Sequence, residues 1–227
     1  AAYLTGVAWL HGVPFDADER AIVPRSLIAE PLADGTLDAV LGREPHHVLD
    51  LCTGNGSLAV LAALAWTGCR VLGTDLSADA LALAQSNLAR HALADRVELR
   101  RGDGLAALRD GECFDLVLCN PPYVNAASMS SLPPEFRAEP ALALAGGHDG
   151  MDFVRPLLAG LAAHLLPEAA LVLEIGHERV HFDVAFPGLE PLWLATSAGD
   201  DQVLLLTREQ LAARRTTRLT THEARSR

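Results

Sequence analysis

Lysine is absent from this chain of 227 residues, and its 18 basic side chains are all arginine. Against them stand 29 acidic side chains, which give a formal net charge of −11 at pH 7. Nonspecific binding to nucleic acid depends on neutralising phosphates with positive charge. A chain this acidic is therefore a poor candidate for stable nucleic-acid binding. We attribute the missing lysine to genomic base composition and not to function.

Cysteine and long apolar runs are also scarce. The four cysteines (Cys52, Cys69, Cys113 and Cys119) show neither C-x-x-C spacing nor a matching pattern of histidine ligands. The sequence thus indicates neither a zinc site nor a disulfide framework. It contains no apolar run of about 18 residues and no signal peptide, which argues against a membrane partner. For the same reason we expect a cytoplasmic protein. Half of the residues are hydrophobic, which is enough for one well-buried core.

From His46 onward, short apolar runs alternate with helical segments rich in Ala and Leu. This alternation is typical of an α/β protein, in which right-handed crossovers connect parallel strands. Near the end, Leu192–Thr196 and Gln202–Leu206 flank the turn residues Gly199-Asp200-Asp201, a pattern that predicts an antiparallel pair. The sequence therefore predicts a doubly wound, mostly parallel sheet that ends in an antiparallel hairpin.

We divide the chain into three parts. Residues 1–45 are predicted to form a lead-in hairpin and a helix from about Ser26 to Leu41. Residues 46–207 are predicted to form the main domain, and residues 208–227 a polar, disordered tail. Residues 125–150 follow the fourth strand of the main domain and show no regular pattern. Long irregular segments in compact domains are usually functional.

The most informative motif is Asn120-Pro121-Pro122-Tyr123, which directly follows the apolar run Phe114–Cys119. The run predicts a buried strand, which ends at the two prolines because proline cannot donate to a sheet ladder. The corner presents one side-chain amide, two carbonyl groups without a neighbouring N–H, and one aromatic ring. These groups suit an incoming planar NH2 group. The alternative is a simple turn in which the asparagine caps a backbone group.

Attack of an amide or exocyclic amine on a methyl group builds positive charge on the nitrogen. Acceptors aimed at its two hydrogens stabilise that charge, and we assign this role to the Asn120 side chain and the Pro121 carbonyl. The prolines restrict the backbone and so limit reorganisation. Tyr123 is expected to hold the planar group by stacking. We predict Asn120, Pro121 and Tyr123 as catalytic residues, and Asn120, Pro121, Pro122 and Tyr123 as the substrate-binding set.

Three other strand ends carry residues suited to binding a methyl donor. Asp50 precedes a turn with two glycines, which allows the backbone to approach a ligand closely; it is expected to accept from a ligand ammonium group or to order the turn. Asp75, about 20 residues past the first glycine, is placed to bind ribose hydroxyls. Asp103 follows the third strand and can accept from an adenine amino group. The predicted donor-binding residues are Asp50, Thr53, Gly54, Asn55, Gly56, Asp75, Leu76, Asp103, Gly104 and Asn120.

A nicotinamide enzyme is a rival interpretation of the same turn. Gly54-x-Gly56-x-x-Ala59 followed by Asp75 satisfies a loose dinucleotide-binding fingerprint. Asp50, however, would lie badly beside a pyrophosphate at a helix N-terminus. The fourth strand, moreover, ends in an amide-binding corner without an evident hydride-transfer group. We therefore favour the methyl donor.

Taken together, these motifs resemble the class I S-adenosylmethionine-dependent methyltransferases. More narrowly, the chain is similar to the protein-glutamine N5-methyltransferases from about Tyr3 to about Thr207. Within that family, residues 18–26 and 132–152 resemble the branch that acts on large-subunit ribosomal protein three, and Glu174-Ile175-Gly176-His177-Glu178 fits as well. Release-factor methylation is the sister alternative.

The resemblance implies a Rossmann-like fold with a seven-stranded sheet, S-adenosylmethionine as cofactor and a glutamine-containing loop of a ribosomal protein as partner. It implies that residues 120–123 hold the glutamine amide and that Gly54, Gly56, Asp75 and Asp103 bind the donor. Family members also carry an N-terminal helical domain, which we expect to be missing from this chain. Adenine-N6 methylation of DNA is less favoured, because no basic target-recognition region is evident. A ribosome-assembly binder without catalysis is the remaining alternative.

Overall fold

The computed structural model describes residues 2–133, 136 and 139–214. The chain begins with a one-turn helix, α1 (Ala2–Thr5), and the antiparallel pair β1 (Val7–Leu10) and β2 (Val13–Asp16). Two short helices follow, α2 (Ala29–Ala33) and α3 (Thr36–Leu41). They replace the single helix expected from Ser26 to Leu41, because Gly35 between them adopts a left-handed φ of 81°. A helix cannot continue through that conformation.

The main sheet of the described residues has seven strands in the spatial order β5-β4-β3-β6-β7-β9-β8. The first five in sequence are parallel, and β9 runs antiparallel to both of its neighbours. This arrangement confirms the predicted sheet and its antiparallel end. The strands are β3 (His47–Leu51), β4 (Arg70–Asp75), β5 (Val97–Arg101), β6 (Phe114–Cys119), β7 (Leu165–Glu174), β8 (Leu192–Thr196) and β9 (Gly199–Thr207).

The order of the parallel strands reverses between β3 and β6. Strands β4 and β5 lie on one side of β3, whereas β6 and β7 continue on the other. Connections that leave a sheet in opposite directions open a crevice at the carboxyl ends of the strands. The turn after β3 and the corner after β6 therefore lie beside each other, as the sequence motifs require.

Both faces of the sheet are covered. Side chains alternate between the faces along each strand: Val48 belongs to a core with Leu58 and Trp66, and Leu49 to a second core with Leu157 and Phe182. Helices cover both cores, so the sheet is doubly wound. The helices that follow the first parallel strand are α4 (Ser57–Ala65), α5 (Ala78–Arg90), α6 (Ala126–Ser130), α7 (Val154–Gly160) and α8 (Arg179–Ala185).

The end of the described chain differs from the expected polar tail. Residues 208–214 are helical, and Leu211 is fully buried in the second core. Leu211 packs in the core, Arg208 and Gln210 donate to the carbonyls of Leu165 and Glu190, and the Arg214 guanidinium lies over the Phe186 ring. Together these contacts hold the helix against the rest of the domain. The prediction for residues 215–227 lies outside the described residues. Among the helices that are described, none has the length and apolar character needed to cross a membrane.

Candidate active site

A first cavity of about 220 Å³ opens at the carboxyl ends of β3, β4, β5 and β6. All four strand ends named in the sequence contribute to this part of the molecule, and residues 20–22 of the lead-in segment also line the cavity. The structure thus brings together residues that lie far apart in the sequence, from Arg20 to Phe153, because the carboxyl ends of parallel strands meet at one edge of a sheet. The predicted site residues in its wall are Gly54, Asp75, Leu76, Asp103, Gly104, Asn120 and Pro122.

Asp50 lies beneath the turn and is fully buried. One of its oxygens, Oδ2, accepts from the Thr53 hydroxyl at 2.5 Å and from the backbone N–H of Ala59 at 2.9 Å. The other, Oδ1, is buried without a hydrogen-bond partner. Burial raises the pKa of this carboxyl to about 7, and the two hydrogen bonds oppose that shift only in part. Its contacts fit the role of ordering the turn, the second of the two roles expected for it.

Asp75 connects the turn to the next helix. Its Oδ2 accepts from the backbone N–H of Gly54 at 2.9 Å, and its Oδ1 accepts from the backbone N–H of Ser77 at 2.8 Å. Burial raises the pKa of the carboxyl above its usual value. A carboxylate oxygen has lone pairs for more than one donor, so Asp75 can still accept from hydroxyl groups of a ligand in the cavity.

The far end of the first cavity combines a carboxylate with apolar walls. Asp103 lies next to Gly104, whose φ of 51° is left-handed. A Cβ added to Gly104 would make an ordinary contact of 3.5 Å with the Phe153 ring, so the left-handed backbone and not a lack of space favours glycine here. Leu76 lines the same cavity and is 43% exposed. An aromatic ring and an aliphatic side chain beside a carboxylate suit a flat heterocycle with an amino group.

Besides Asp50, three of the predicted donor-binding residues do not line the first cavity. Thr53 and Asn55 line a small hollow of about 30 Å³, which shares Gly54 and Asn120 with the first cavity. Asn55 Oδ1 accepts from the backbone N–H of Ser57, and its buried Nδ2 lacks a partner. Gly56, with a φ of 81°, begins α4 and packs on Ala84 of α5. These residues support the conformation of the turn, and Gly54 is the turn residue that lines the first cavity.

A second cavity, of about 430 Å³, lies on the other side of the Asn-Pro-Pro-Tyr corner. Asn120 lines both cavities, Pro122 lines the first, and Pro121 and Tyr123 line the second. The corner is therefore the wall that separates the two spaces. A substrate group bound to Asn120 in the second cavity would therefore lie next to a ligand bound in the first cavity.

Tyr123 is held on three sides. Its hydroxyl donates to Glu174 Oε1 at 3.2 Å, and its ring lies so close to Gly176 that an added Cβ would be 2.5 Å from the ring. A Cβ added to Gly146 would lie 2.6 Å from the Tyr123 backbone. Two backbone hydrogen bonds of 2.9 Å join the next residue, Val124, to residues 144 and 146. The irregular segment after β6 thus fixes the corner.

Glu174, at the end of β7, is a site residue whose role sequence reasoning missed. Only 3% of it is exposed, yet it lines the second cavity. Its Oε2 accepts from the Ser26 hydroxyl at 2.6 Å and from the backbone N–H of Leu27 at 2.9 Å. Burial raises the pKa of this carboxyl. The sequence does contain a signal that could have identified Glu174, because this carboxylate directly follows the apolar run of residues 169–173.

Arg25 and Glu139 form an ion pair at the rim of the second cavity. Two guanidinium nitrogens of Arg25 donate to the two Glu139 oxygens at 2.6 and 2.5 Å. The guanidinium also lies 4.7 Å from the centre of the Phe136 ring. The lead-in segment and the irregular segment are thereby joined over the site. The contacts of Arg25 therefore support a structural ion pair.

Comparison with solved structures identifies the fold. The catalytic domain of hMettl16, solved with a MAT2A 3'UTR hairpin, superposes with a TM-score of 0.64 at 14% identity, covering 85% of this chain and 74% of that chain. A T. thermophilus 16S rRNA N2 G1207 methyltransferase (RsmC), solved with AdoMet and guanosine, gives a TM-score of 0.58 at 20% identity, covering 88% of this chain and 49% of that chain. Both likenesses concern the fold.

Sequence comparison identifies the family. Residues 35–144 match the model of the methyltransferase small domain, which together with the fold defines a Rossmann-like methyltransferase. A Bordetella pertussis protein named ribosomal protein uL3 glutamine methyltransferase is 56% identical, over 93% of this chain and 71% of that protein. A Burkholderia pseudomallei protein of the same name is 49% identical, over 94% and 72%. The chain belongs to the family of ribosomal protein uL3 glutamine methyltransferases, which confirms the predicted resemblance.

Proposed function

We propose that this protein transfers a methyl group from S-adenosylmethionine to the side-chain amide nitrogen, N5, of a glutamine in ribosomal protein uL3. The observation that carries the proposal is Asn120, which lines both cavities at once. Membership of the uL3 glutamine methyltransferase family supports the choice of substrate over a release factor. Because a ribosomal protein is the substrate, we place the reaction in the cytoplasm.

The first cavity fits S-adenosylmethionine. That molecule carries ribose hydroxyls, an adenine amino group and a flat apolar ring system, and it supplies an electrophilic methyl group on a sulfonium. Asp75 offers carboxylate lone pairs in the cavity wall, and Asp103 offers an acceptor beside the apolar Leu76 and Phe153. Gly54 and Gly104 both have a left-handed φ, which favours glycine. We assign donor binding to these residues, with Asp50, Thr53, Asn55 and Gly56 supporting the turn.

The second cavity would receive the glutamine. We assign the Asn120 side-chain oxygen and the Pro121 carbonyl to the two amide hydrogens, where they stabilise the positive charge that grows on nitrogen. Tyr123 holds the amide plane in the second cavity, which keeps the nitrogen directed towards Asn120 and the first cavity. As the N–C bond forms and the S–C bond breaks, nitrogen acquires a positive charge. Its extra proton then leaves to water, so the chain needs no strong base.

The test is methylation of purified uL3 by the purified protein with isotopically labelled S-adenosylmethionine. Peptide mass spectrometry should place one methyl group on a glutamine side chain. Asn120→Ala should lower kcat at least about 100-fold, because one designed acceptor of the transition-state charge is lost. Calorimetry should still detect S-adenosylhomocysteine binding to that variant.

A release factor and an adenine-containing DNA duplex, offered under the same conditions, serve as competing substrates. Preferential labelling of either one, or labelling of a residue other than glutamine in uL3, would contradict the proposal. Donor binding without any labelled product would indicate a binder in place of an enzyme.

A further inference from the structure

Glu174 is the less exposed of the two glutamates that line the second cavity. It is the last residue of β7 and pairs with Val203 of β9, and only 3% of its surface is exposed. Its hydrogen-bond donors among the described residues are neutral, and they include the hydroxyls of Tyr123 and Ser26 and the backbone N–H of Leu27. A buried carboxylate held only by neutral donors is costly, and its presence calls for a reason.

Arg25 is a cation close to this carboxylate, but it binds a different one. Arg25 lines the same cavity, but both of its terminal nitrogens bind the two oxygens of Glu139. Glu178, another buried carboxylate of the cavity, is held by Asn125 and His181. Glu174 therefore lies beside the Tyr123 ring without a direct ionic partner among the described residues. The Tyr123 hydroxyl donates to its Oε1 at 3.2 Å, and a phenol that donates a hydrogen bond has a more electron-rich ring.

We propose that Glu174 is a positioning residue for methyl transfer, which holds the Tyr123 ring against the target amide and connects it to the lead-in segment at Ser26. The inference rests on the proposed function. Two consequences follow from the contacts. The ring cannot rotate away without breaking the bond to Oε1, so the glutamine amide keeps one orientation. The polarised ring face also favours the cation that forms at nitrogen during transfer.

The role of Glu174 also explains why the lead-in segment reaches the site. Ser26 and Leu27 bind one oxygen of the carboxylate, and Tyr123 binds the other. A displacement of the lead-in segment would release the carboxylate and, through it, the ring. The segment that covers the first cavity at residues 20–22 is thereby coupled to the orientation of the substrate in the second.

The experiment is a double-mutant cycle in the uL3 methylation assay. Glu174→Gln keeps the shape but removes the charge, and Tyr123→Phe keeps the ring but removes the hydroxyl. Each should lower kcat about tenfold, the usual worth of a hydrogen bond to a charged group. The double variant should be no slower than either single variant, because both remove the same interaction. The affinity for S-adenosylhomocysteine should stay unchanged in all three.

Glu190→Gln is the matched control, since Glu190 is exposed and lines neither cavity, and the kcat of this variant should equal that of the wild type. Multiplicative losses in the double variant, or wild-type kcat in Tyr123→Phe, would overturn the inference. If Glu174→Gln fails to fold, Tyr123→Phe and Ser26→Ala decide the question, because each deletes one contact of the carboxylate and should lower kcat alone. An inactive wild type would refute the proposed function, which separates the two failures.

Discussion

At the scale of single residues, the carboxylates of Asp50 and Asp75 end neighbouring parallel strands in different surroundings. Asp50 is sealed below the turn, with one oxygen unpaired. Asp75 faces the first cavity, with each oxygen bound to one backbone N–H. Ionisation of Asp50 is therefore unfavourable, whereas the Asp75 carboxylate can accept hydrogen bonds from a ligand. Each gives a separate prediction.

Asp50 should make the protein less stable as the pH rises. Its pKa is about 7 in the folded chain against an ordinary value of 3.8, so between these values the folded state binds more protons than the unfolded state. The free energy of unfolding therefore falls from about pH 4 to about pH 7 and is flat above. Asp50→Asn removes this slope, so its stability relative to wild type should be about 2–3 kcal/mol higher at pH 8 than at pH 5. Urea unfolding without donor measures it, and parallel profiles would refute it.

Asp75 should control the affinity for the donor. Asp75→Asn removes the charge that strengthens hydrogen bonds from ligand hydroxyls, and we expect S-adenosylhomocysteine to bind about 10–100-fold more weakly. Burial raises the pKa of Asp75, so wild-type affinity should also fall as acid protonates this carboxyl. Calorimetry gives both results. Asp79→Asn is the matched control, because Asp79 is exposed four residues further on; an equal loss there would show that bulk charge is responsible.

Sequence motifs pointed to some of the residues that line the two cavities and missed others for a physical reason. Asp75 and Asn120 stand at the ends of apolar strands, where a local pattern is visible before folding. The Ser26–Glu174 and Arg25–Glu139 pairs join residues 148 and 114 positions apart. Only the order of the strands brings them together. A side chain whose role depends on such a partner carries no local signal.

At the scale of elements, the packing of α4 on α5 fixes the turn after β3. Gly56 begins α4 with a φ of 81°, and a Cβ placed there would lie 3.1 Å from the Ala84 Cβ and 3.3 Å from its Cα. Gly42 ends α3 with a similar φ of 67°, but nothing lies within 4 Å of its added Cβ. The two glycines share the backbone conformation and differ in their neighbours.

Gly56→Ala should therefore destabilise the protein more than Gly42→Ala. Both should lose about 1–2 kcal/mol because alanine disfavours the left-handed region. Gly56→Ala should lose about 1–3 kcal/mol more, because its methyl group forces α4 and α5 apart, and it should weaken donor binding by shifting Gly54. Chemical denaturation of both variants measures the difference. Equal losses would mean that the helix contact relaxes without cost.

Element boundaries were the least predictable part of the fold. The expected helix over Ser26 to Leu41 is divided at Gly35, and residues 208–214 form a helix in place of a disordered tail. In the first case a left-handed glycine overrides the helical pattern around it. In the second, the burial of Leu211 and the hydrogen bonds of Arg208 and Gln210 hold the helix. Neither the conformation of one glycine nor such long-range contacts can be deduced from periodicity alone.

At the scale of the whole molecule, the net charge of −11 bears on which substrates can approach the site. The fold alone does not distinguish a protein substrate from a nucleic acid, because related folds occur in a 16S rRNA methyltransferase and in a catalytic domain solved with an RNA hairpin. An exocyclic adenine amine would also fit an asparagine-proline corner. The residues that surround the Asn-Pro-Pro-Tyr corner must therefore distinguish a protein substrate from a nucleic acid. In this chain buried carboxylates such as Glu174 and Glu178 line the second cavity, and Arg25 is held by Glu139.

Nucleic acid should therefore bind poorly, even where the chemistry of the corner would permit it. Contacts to phosphate need unpaired cations, and a net negative chain repels a polyanion more strongly as salt is removed. We expect fluorescence anisotropy to detect no binding of a labelled DNA duplex at micromolar protein and about 50 mM salt, conditions in which basic proteins bind tightly. Binding of uL3 under the same conditions provides the positive control. Saturable DNA binding that weakens steeply with added salt would instead favour an adenine methyltransferase and count against glutamine as the substrate.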